Sequence, residues 1–160
     1  MRQLFLDCDG VLADFDTLGE QIFGVHPHKA EESLGGEEFW KTLRTYEDFF
    51  YNLPLMPEAA ALVMAFEHLS PVILTGVPKG GWAEAQKVRW GQKHFPHLDM
   101  ITCLSHDKRN HMNPGDVLVD DMHKYQHLWE EAGGHFILYR PGGAEDVIRR
   151  VLELFEEDQK

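Results

Sequence analysis

Cysteine is scarce in this chain: Cys8 and Cys103 are the only two among 160 residues. Two thiols imply no disulfide framework, which sets aside the small secreted scaffolds that depend on bridges. Long apolar runs are missing too, since none approaches the roughly 20 residues that span a bilayer. The opening Met1-Arg2-Gln3-Leu4-Phe5-Leu6-Asp7 is too short in its apolar part, and too quickly acidic, for a secretory leader. A cytoplasmic location is therefore expected. Basic residues are outnumbered, 15 against 27 acidic ones, leaving a net charge of −12. Such a surface repels a polyanion and argues against binding along DNA or RNA. A small phosphorylated ligand is still compatible with it if one pocket is locally positive. A bound divalent cation would help to supply that field.

What is present suffices for one compact domain, with 43% hydrophobic residues to fill a core. Five short apolar runs read as buried strands: Leu4–Leu6, Val72–Leu74, Met100–Cys103, Val117–Val119 and Phe136–Tyr139. They are continuous rather than alternating, as strands are when both faces of a parallel sheet are covered. Helical spacing separates most of them. Leu62, Ala65, Phe66 and Leu69 share one face, as do Tyr125, Leu128, Trp129 and Ala132, which Gly133-Gly134 then stops. Val147, Ile148, Val151, Leu152 and Phe155 line a last helix, and the acidic tail Glu153–Asp158 is its solvated end. The linker Ser105–Asp116 shows no helical period. The alternation predicts an α/β fold with a doubly wound, Rossmann-like parallel sheet.

Residues 14–54 break this rhythm, with helical spacing at Phe15, Leu18 and Ile22, turn signals, and then Phe39, Trp40, Tyr46, Phe49, Phe50 and Tyr51. No strand-to-strand crossover needs so many residues. The stretch is predicted to be a small helical cap inserted after strand one, with residues 1–13 and 55–160 forming the core.

In open α/β sheets, ligands bind beyond the carboxyl ends of the strands. Here those ends carry Asp7-Cys8-Asp9-Gly10, Thr75-Gly76 and Asp120-Asp121, and Lys87 or Lys108 can approach from the connecting segments. Phosphoryl transfer through an aspartyl phosphate uses such a set, because a carboxylate nucleophile divides one hard displacement into two easier ones. Crowded carboxylates repel one another unless a cation sits among them, and magnesium favours oxygen ligands. Thr75, nearby backbone N–H groups and a lysine would hold the phosphate oxygens. Asp9 would protonate the leaving oxygen and then deprotonate water. Gly10 would let the chain turn without a side chain entering the site.

Each piece also has a plainer use, as a strand-capping turn or a helix N-terminus. Their joint occurrence at successive strand ends is what points to chemistry. A phosphorylatable receiver module gathers similar groups, but its phosphoacceptor belongs on a later strand and no insertion follows its first. Cys8 is expected to face away from the flanking carboxylates. The pairs His26/His28, His94/His97 and His123/His127 are expected to be surface residues rather than a zinc site.

The runs Asp7-Cys8-Asp9-Gly10-Val11-Leu12, the apolar stretch ending in Thr75, and Val117-Leu118-Val119-Asp120-Asp121 resemble the haloacid dehalogenase superfamily. Within it, Phe49-Phe50-Tyr51-Asn52-Leu53-Pro54-Leu55-Met56-Pro57 and Lys87-Val88-Arg89-Trp90 are similar to the 5'(3')-deoxyribonucleotidase group. The resemblance implies a Mg2+-dependent phosphomonoesterase in which Asp7 is nucleophile and metal ligand. Asp9 would be acid/base and lend its backbone carbonyl to the metal. Thr75, Gly76 and Lys87 would surround the phosphate, and Asp121, supported by Asp120, would bind the metal. Two departures stand out: Gly76 replaces a serine that touches phosphate in that group, and Met122 replaces an arginine. Of the two lysines, Lys87 fits the group's pattern and is preferred, with Lys108 the competitor. Phe15, Trp40, Phe49 and Lys79, with Lys108 again, are candidates for the rest of the substrate. The cap aromatics are otherwise expected to form the cap's own core. The expected partner is a small phosphorylated substrate, a nucleotide first and a sugar phosphate second. Neither a nucleic-acid polymer nor a membrane is expected, and a homodimer is compatible with the sequence.

Overall fold

The five apolar runs pair side by side into one sheet. In this computed structural model, which describes residues 1–158 and 160, the strands are β1 (Leu4–Leu6), β2 (Val72–Gly76), β3 (Met100–Cys103), β4 (Val117–Asp120) and β5 (His135–Leu138). Their order is β3-β2-β1-β4-β5, and every neighbouring pair is parallel. The chain thus winds outward from β1 to one side, then returns to build the other. The reversal opens a crevice beyond the carboxyl ends of β1 and β4.

Strand alternation sends Leu4, Leu6 and Ile73 to one face, and Phe5, Leu74 and Leu118 to the other, where each set packs in its own apolar cluster. The first face is covered by α4 (Ala59–Phe66), α5 (Glu84–His94) and α7 (Ala144–Glu157), through Leu62, Phe66, Trp90, Val147 and Val151. On the second, Trp129 of α6 (Gln126–Glu131) meets Phe5 edge-on at 5.7 Å. Among the described residues no helix is long and apolar enough to cross a membrane.

Some boundaries differ from the sequence reading. Thr75 and Gly76 close β2 rather than follow it, Asp120 is the last residue of β4, and β5 starts one residue early and leaves Tyr139 outside. Residues Ser105–His111, expected to lack helical period, form a 3₁₀ helix. Its three-residue repeat and polar surface show no 3.6-residue stripe.

Between β1 and β2 lie α1 (Phe15–Phe23), α2 (Pro27–Leu34) and α3 (Gly36–Thr45). Asp14 caps α1 by accepting from the Thr17 N–H at 3.1 Å and its hydroxyl at 2.7 Å, and Gly24 ends it with φ 73°. Pro27 opens α2 at the position where its missing N–H costs nothing. The aromatic side chains interlock: Phe23 stacks on Phe39 at 4.9 Å, Phe15 meets Phe49 edge-on at 5.3 Å, and Phe49 meets Phe50 at 5.0 Å. Phe39, Phe49 and Phe50 are buried within the same apolar cluster as the first sheet face. Burial of each stabilises by about 1.5–3 kcal/mol.

Glu58, just before α4, accepts from the Tyr139 hydroxyl at 2.6 Å and from Gly142 N at 2.7 Å and Ala144 N at 3.4 Å. It thereby ties the start of α7 to α4. The Tyr139 hydroxyl above all, helped by the two backbone N–H groups, holds the Glu58 carboxyl below its ordinary value although burial pushes it up. A depressed folded-state value stabilises at pH above the unfolded one, and that stability is lost as pH falls through the folded one. Glu58→Ala is expected to cost about 1–3 kcal/mol at neutral pH. The gap in melting temperature between it and the wild type should close as pH falls below 4; a gap that widens in acid would refute this role.

Candidate active site

The carboxyl ends of β1, β2 and β4 bring the candidate residues together. Parity decides which way each points. Asp7 follows β1 on the Phe5 side, Asp120 ends β4 on the Leu118 side, and Thr75 lies on the opposite face with Ile73. Cys8 packs with Leu4 and Leu6, as expected, and burial, then the neighbouring Asp9, push its thiol up. It is a core residue with no nucleophilic character.

Lys108, one turn into the 3₁₀ helix, reaches the crevice on the Asp7 side. Its Nζ donates to Asp7 Oδ1 and to Asp120 Oδ2, both at 2.8 Å. Burial alone would lower the lysine's pKa, but Asp7 and Asp120 outweigh it and raise it. The two carboxylates thus favour the ammonium form. Lys87 comes from α5 on the other side. Its Nζ donates to Asp9 Oδ2 at 2.6 Å, Thr75 Oγ1 at 2.8 Å and the Gly76 carbonyl at 2.8 Å. The same Nζ lies 4.7 Å from the centroid of the Phe50 ring. Three residues on, one helical turn away on the same face, Trp90 donates Nε1 to the Leu53 carbonyl at 2.8 Å. The Lys-x-x-Trp spacing thus uses the tryptophan to lock α5 against the chain leaving the insertion, and so holds the lysine. The sequence posed Lys87 and Lys108 as competitors; both reach the site, from opposite faces.

Asp7, Asp120 and Asp121 each bring one carboxylate oxygen within 4.8 Å of the others. Of the three, Asp7 and Asp120 pair with the ammonium of Lys108 and Asp121 does not. Burial, then Asp7, push the Asp120 carboxyl up to about 6, while burial, Asp7 and Asp120 push that of Asp121 up to about 9. Asp121 Oδ1 is buried without a hydrogen-bond partner. Gly10 runs past at φ 82°, and a Cβ there would lie 2.0 Å from Asp121 Oδ2. This pocket of hard oxygens, walled by a glycine, fits Mg2+. The Asp9 side chain stands outside the trio. Its Oδ1 is likewise buried without a partner, and burial, only partly offset by Lys87, raises its pKa. Gly10→Ala puts a methyl group on the Asp121 carboxylate at a backbone angle alanine rarely adopts. It should remove most magnesium affinity, as titration calorimetry can show; wild-type affinity would place the metal elsewhere.

Several expected residues stand apart. Thr75 has no accessible surface, and its hydroxyl is held by Lys87. Phe49, a candidate for stacking on a substrate, has none either, because Phe15, Tyr46 and Phe50 enclose it. That candidacy is corrected: its ring belongs to the core. Phe15 and Trp40 are half-buried and keep some surface, while Lys79 is exposed on the loop after β2 and outside the hydrogen-bonded cluster. Trp82, which sequence reasoning missed, is half-buried 5.3 Å from Phe50. Arg140, also missed, donates to the Asp121 carbonyl. His123 and His127 are exposed, and among the described residues no histidine joins a three-ligand cluster.

No protein-family model matches the chain, and no curated protein matches it. Solved structures do. A HAD-superfamily hydrolase from Ehrlichia chaffeensis superposes with a TM-score of 0.55 at 15% identity, covering 97% of this chain and 99% of the other. The fold is that of HAD-superfamily hydrolases. A hydrolase from Streptococcus pneumoniae follows at TM-score 0.53 and 10% identity, covering 95% of this chain and 98% of that one. A HAD family enzyme from Bacteroides thetaiotaomicron, solved as a magnesium complex, gives 0.50 at 16%, covering 89% and 94%. In this chain the carboxylates lie at the carboxyl ends of β1 and β4.

Proposed function

We propose that the chain is a magnesium-dependent phosphomonoester hydrolase that works through an aspartyl phosphate on Asp7. The observation that carries this is a pair of buried, unpartnered carboxylate oxygens at one crevice, Asp9 Oδ1 and Asp121 Oδ1. The first suits a proton and the second a cation. The Bacteroides enzyme of the same fold, solved with magnesium, supports the choice of ion.

Asp7, Asp120 and Asp121, with the Asp9 carbonyl, would hold the ion. When bound, it neutralises charge on the phosphoryl oxygens and on the carboxylates. An oxygen of Asp7 attacks phosphorus, and the ester P–O bond breaks. Asp9, kept protonated more readily by its burial, gives its proton to the departing alkoxide. It then takes a proton from water, which attacks the same phosphorus; the acyl phosphate bond breaks, releasing phosphate and restoring Asp7. Lys108 holds Asp7 oriented and faces the transferred group. Lys87, itself fixed by Thr75, orients Asp9.

The substrate we favour is a deoxyribonucleoside monophosphate. Phe15 and Trp40, 6.1 Å apart, and Trp82 keep partly open rings near Phe50, which lies beneath Lys87. Stacking of a base on such rings is worth about 1–3 kcal/mol, or roughly 5- to 150-fold in affinity. The burial of Phe49 and Phe50 favours the second reading, a sugar phosphate or other small phosphomonoester. Phosphate release from nucleoside monophosphates and sugar phosphates, with and without magnesium, tests both. Chelation should abolish turnover and magnesium restore it, with Asp121→Ala unrescued at ordinary magnesium. Turnover that survives chelation, or that needs zinc and His123, would overturn the proposal. A sugar phosphate ranked equal to every nucleotide would leave the phosphatase and remove the nucleotidase.

A further inference from the structure

Position 76 has no side chain, yet the space beside it is filled. A Cβ on Gly76 would lie 2.1 Å from Ser105 Oγ and 3.1 Å from Ser105 Cβ. The hydroxyl of Ser105 thus stands where a side chain from the end of β2 would stand, and the glycine is what admits it. Register explains the meeting. Gly76 pairs with Cys103 at the ends of β2 and β3, Val77 N donates to the Cys103 carbonyl at 2.8 Å, and the chain turns back over β2 two residues later.

Ser105 opens the 3₁₀ helix, and Lys108 is three residues on. Residues three apart eclipse one another on a 3₁₀ helix, so the two side chains share a face. Lys108 bridges Asp7 and Asp120 from that face, while the Gly76 carbonyl accepts from Lys87. The serine therefore sits between the end of β2 and the lysine that holds the nucleophile. The residue as a whole is exposed.

We infer that Ser105 binds the substrate's phosphoryl group, its Oγ donating a hydrogen bond to a non-bridging phosphate oxygen. This rests on the phosphatase reading and adds a substrate-binding residue to it. The Ser105 hydroxyl occupies the space that a side chain at position 76 would take, which makes a reciprocal exchange the decisive experiment. Position 76 is outside the positive-φ glycines, and with the Ser105 side chain gone the nearest atom to a Cβ there is the residue 105 Cα at 3.3 Å, so a serine needs a backbone shift of a few tenths of an ångström.

The variants are Ser105→Ala, Gly76→Ser and the double Gly76→Ser with Ser105→Gly. The readouts are inorganic phosphate binding in magnesium by calorimetry, magnesium affinity alone, melting temperature, and KM against kcat on a phosphomonoester the wild type hydrolyses. Ser105→Ala should weaken phosphate binding and raise KM by about tenfold or more, as loss of a charge-assisted hydrogen bond does. Magnesium affinity and melting temperature should hold. Gly76→Ser alone should lose binding through collision, and the double variant should recover it to within a few-fold of wild type. Wild-type phosphate affinity and KM in Ser105→Ala would overturn the inference while leaving the phosphatase intact. A wild-type protein that neither binds phosphate nor hydrolyses any phosphomonoester would overturn both.

Discussion

Asp7→Asn should abolish phosphomonoester turnover, lowering kcat by about 10⁴-fold or more, as removal of a covalent nucleophile does. The amide is isosteric with the carboxylate and has no charge with which to attack phosphorus. Its oxygen can still accept from Lys108, which donates to Asp7 Oδ1 at 2.8 Å. The substitution also removes one of three mutually repelling carboxylates in a buried cluster. The variant should therefore fold, and without magnesium it should melt no lower than the wild type. Magnesium should raise its melting temperature less, because one ligand has lost its charge. Acid-trapped protein after brief exposure to labelled substrate supplies the second measurement: wild type should carry phosphate on Asp7, Asp9→Asn should accumulate it, and Asp7→Asn should carry none. Normal steady-state turnover in purified Asp7→Asn would sink the mechanism.

Much of this candidate site was readable because its residues sit at strand ends. A buried parallel strand is a continuous apolar run, and the polar residues that stop each run mark the crevice. Asp7, Thr75 and Asp120 were found in that way, and the sheet order adds only which ends are neighbours. What escaped depends on contacts between distant segments. The 3₁₀ helix Ser105–His111 is polar throughout, even at buried Lys108, so no stripe announced that it returns over β2. Neither the approach of Ser105 to Gly76 nor the arrival of two lysines from opposite faces could be seen without it. The aromatic insertion misled for a related reason. Phe15 and Phe49 look alike as sequence, and only packing separates a ring with open surface from one enclosed by three others.

Lys108→Ala and Lys87→Ala should both slow the proposed phosphomonoesterase, but with different dependence on the leaving group and different costs to the fold. Among the described residues Lys108 is the cation that forms ion pairs with the carboxylates of this cluster, through Asp7 and Asp120, and its side chain is 9% exposed. Its loss leaves buried carboxylates without a counter-charge, which costs about 3–5 kcal/mol when no other cation replaces it. Magnesium should restore part of that, so the variant's melting temperature should depend on magnesium more steeply than the wild type's. Rate should fall by about 10²–10³-fold, the usual effect of removing one preorganised charge from a transition state. The loss should be equal on alkyl and aryl phosphates, because Lys108 holds Asp7, the proposed nucleophile. Lys87 touches Asp9 and Thr75 instead. Without it Asp9 loses its orientation, and with it the proton delivered to the leaving oxygen. An alkoxide needs that proton and a nitrophenolate does not. Lys87→Ala should therefore be crippled on a nucleoside monophosphate yet recover much of the aspartyl-phosphate burst on p-nitrophenyl phosphate, while Lys108→Ala recovers nothing. Equal rescue of the two variants, or rescue of Lys108→Ala alone, would show that the roles assigned to the two lysines are wrong.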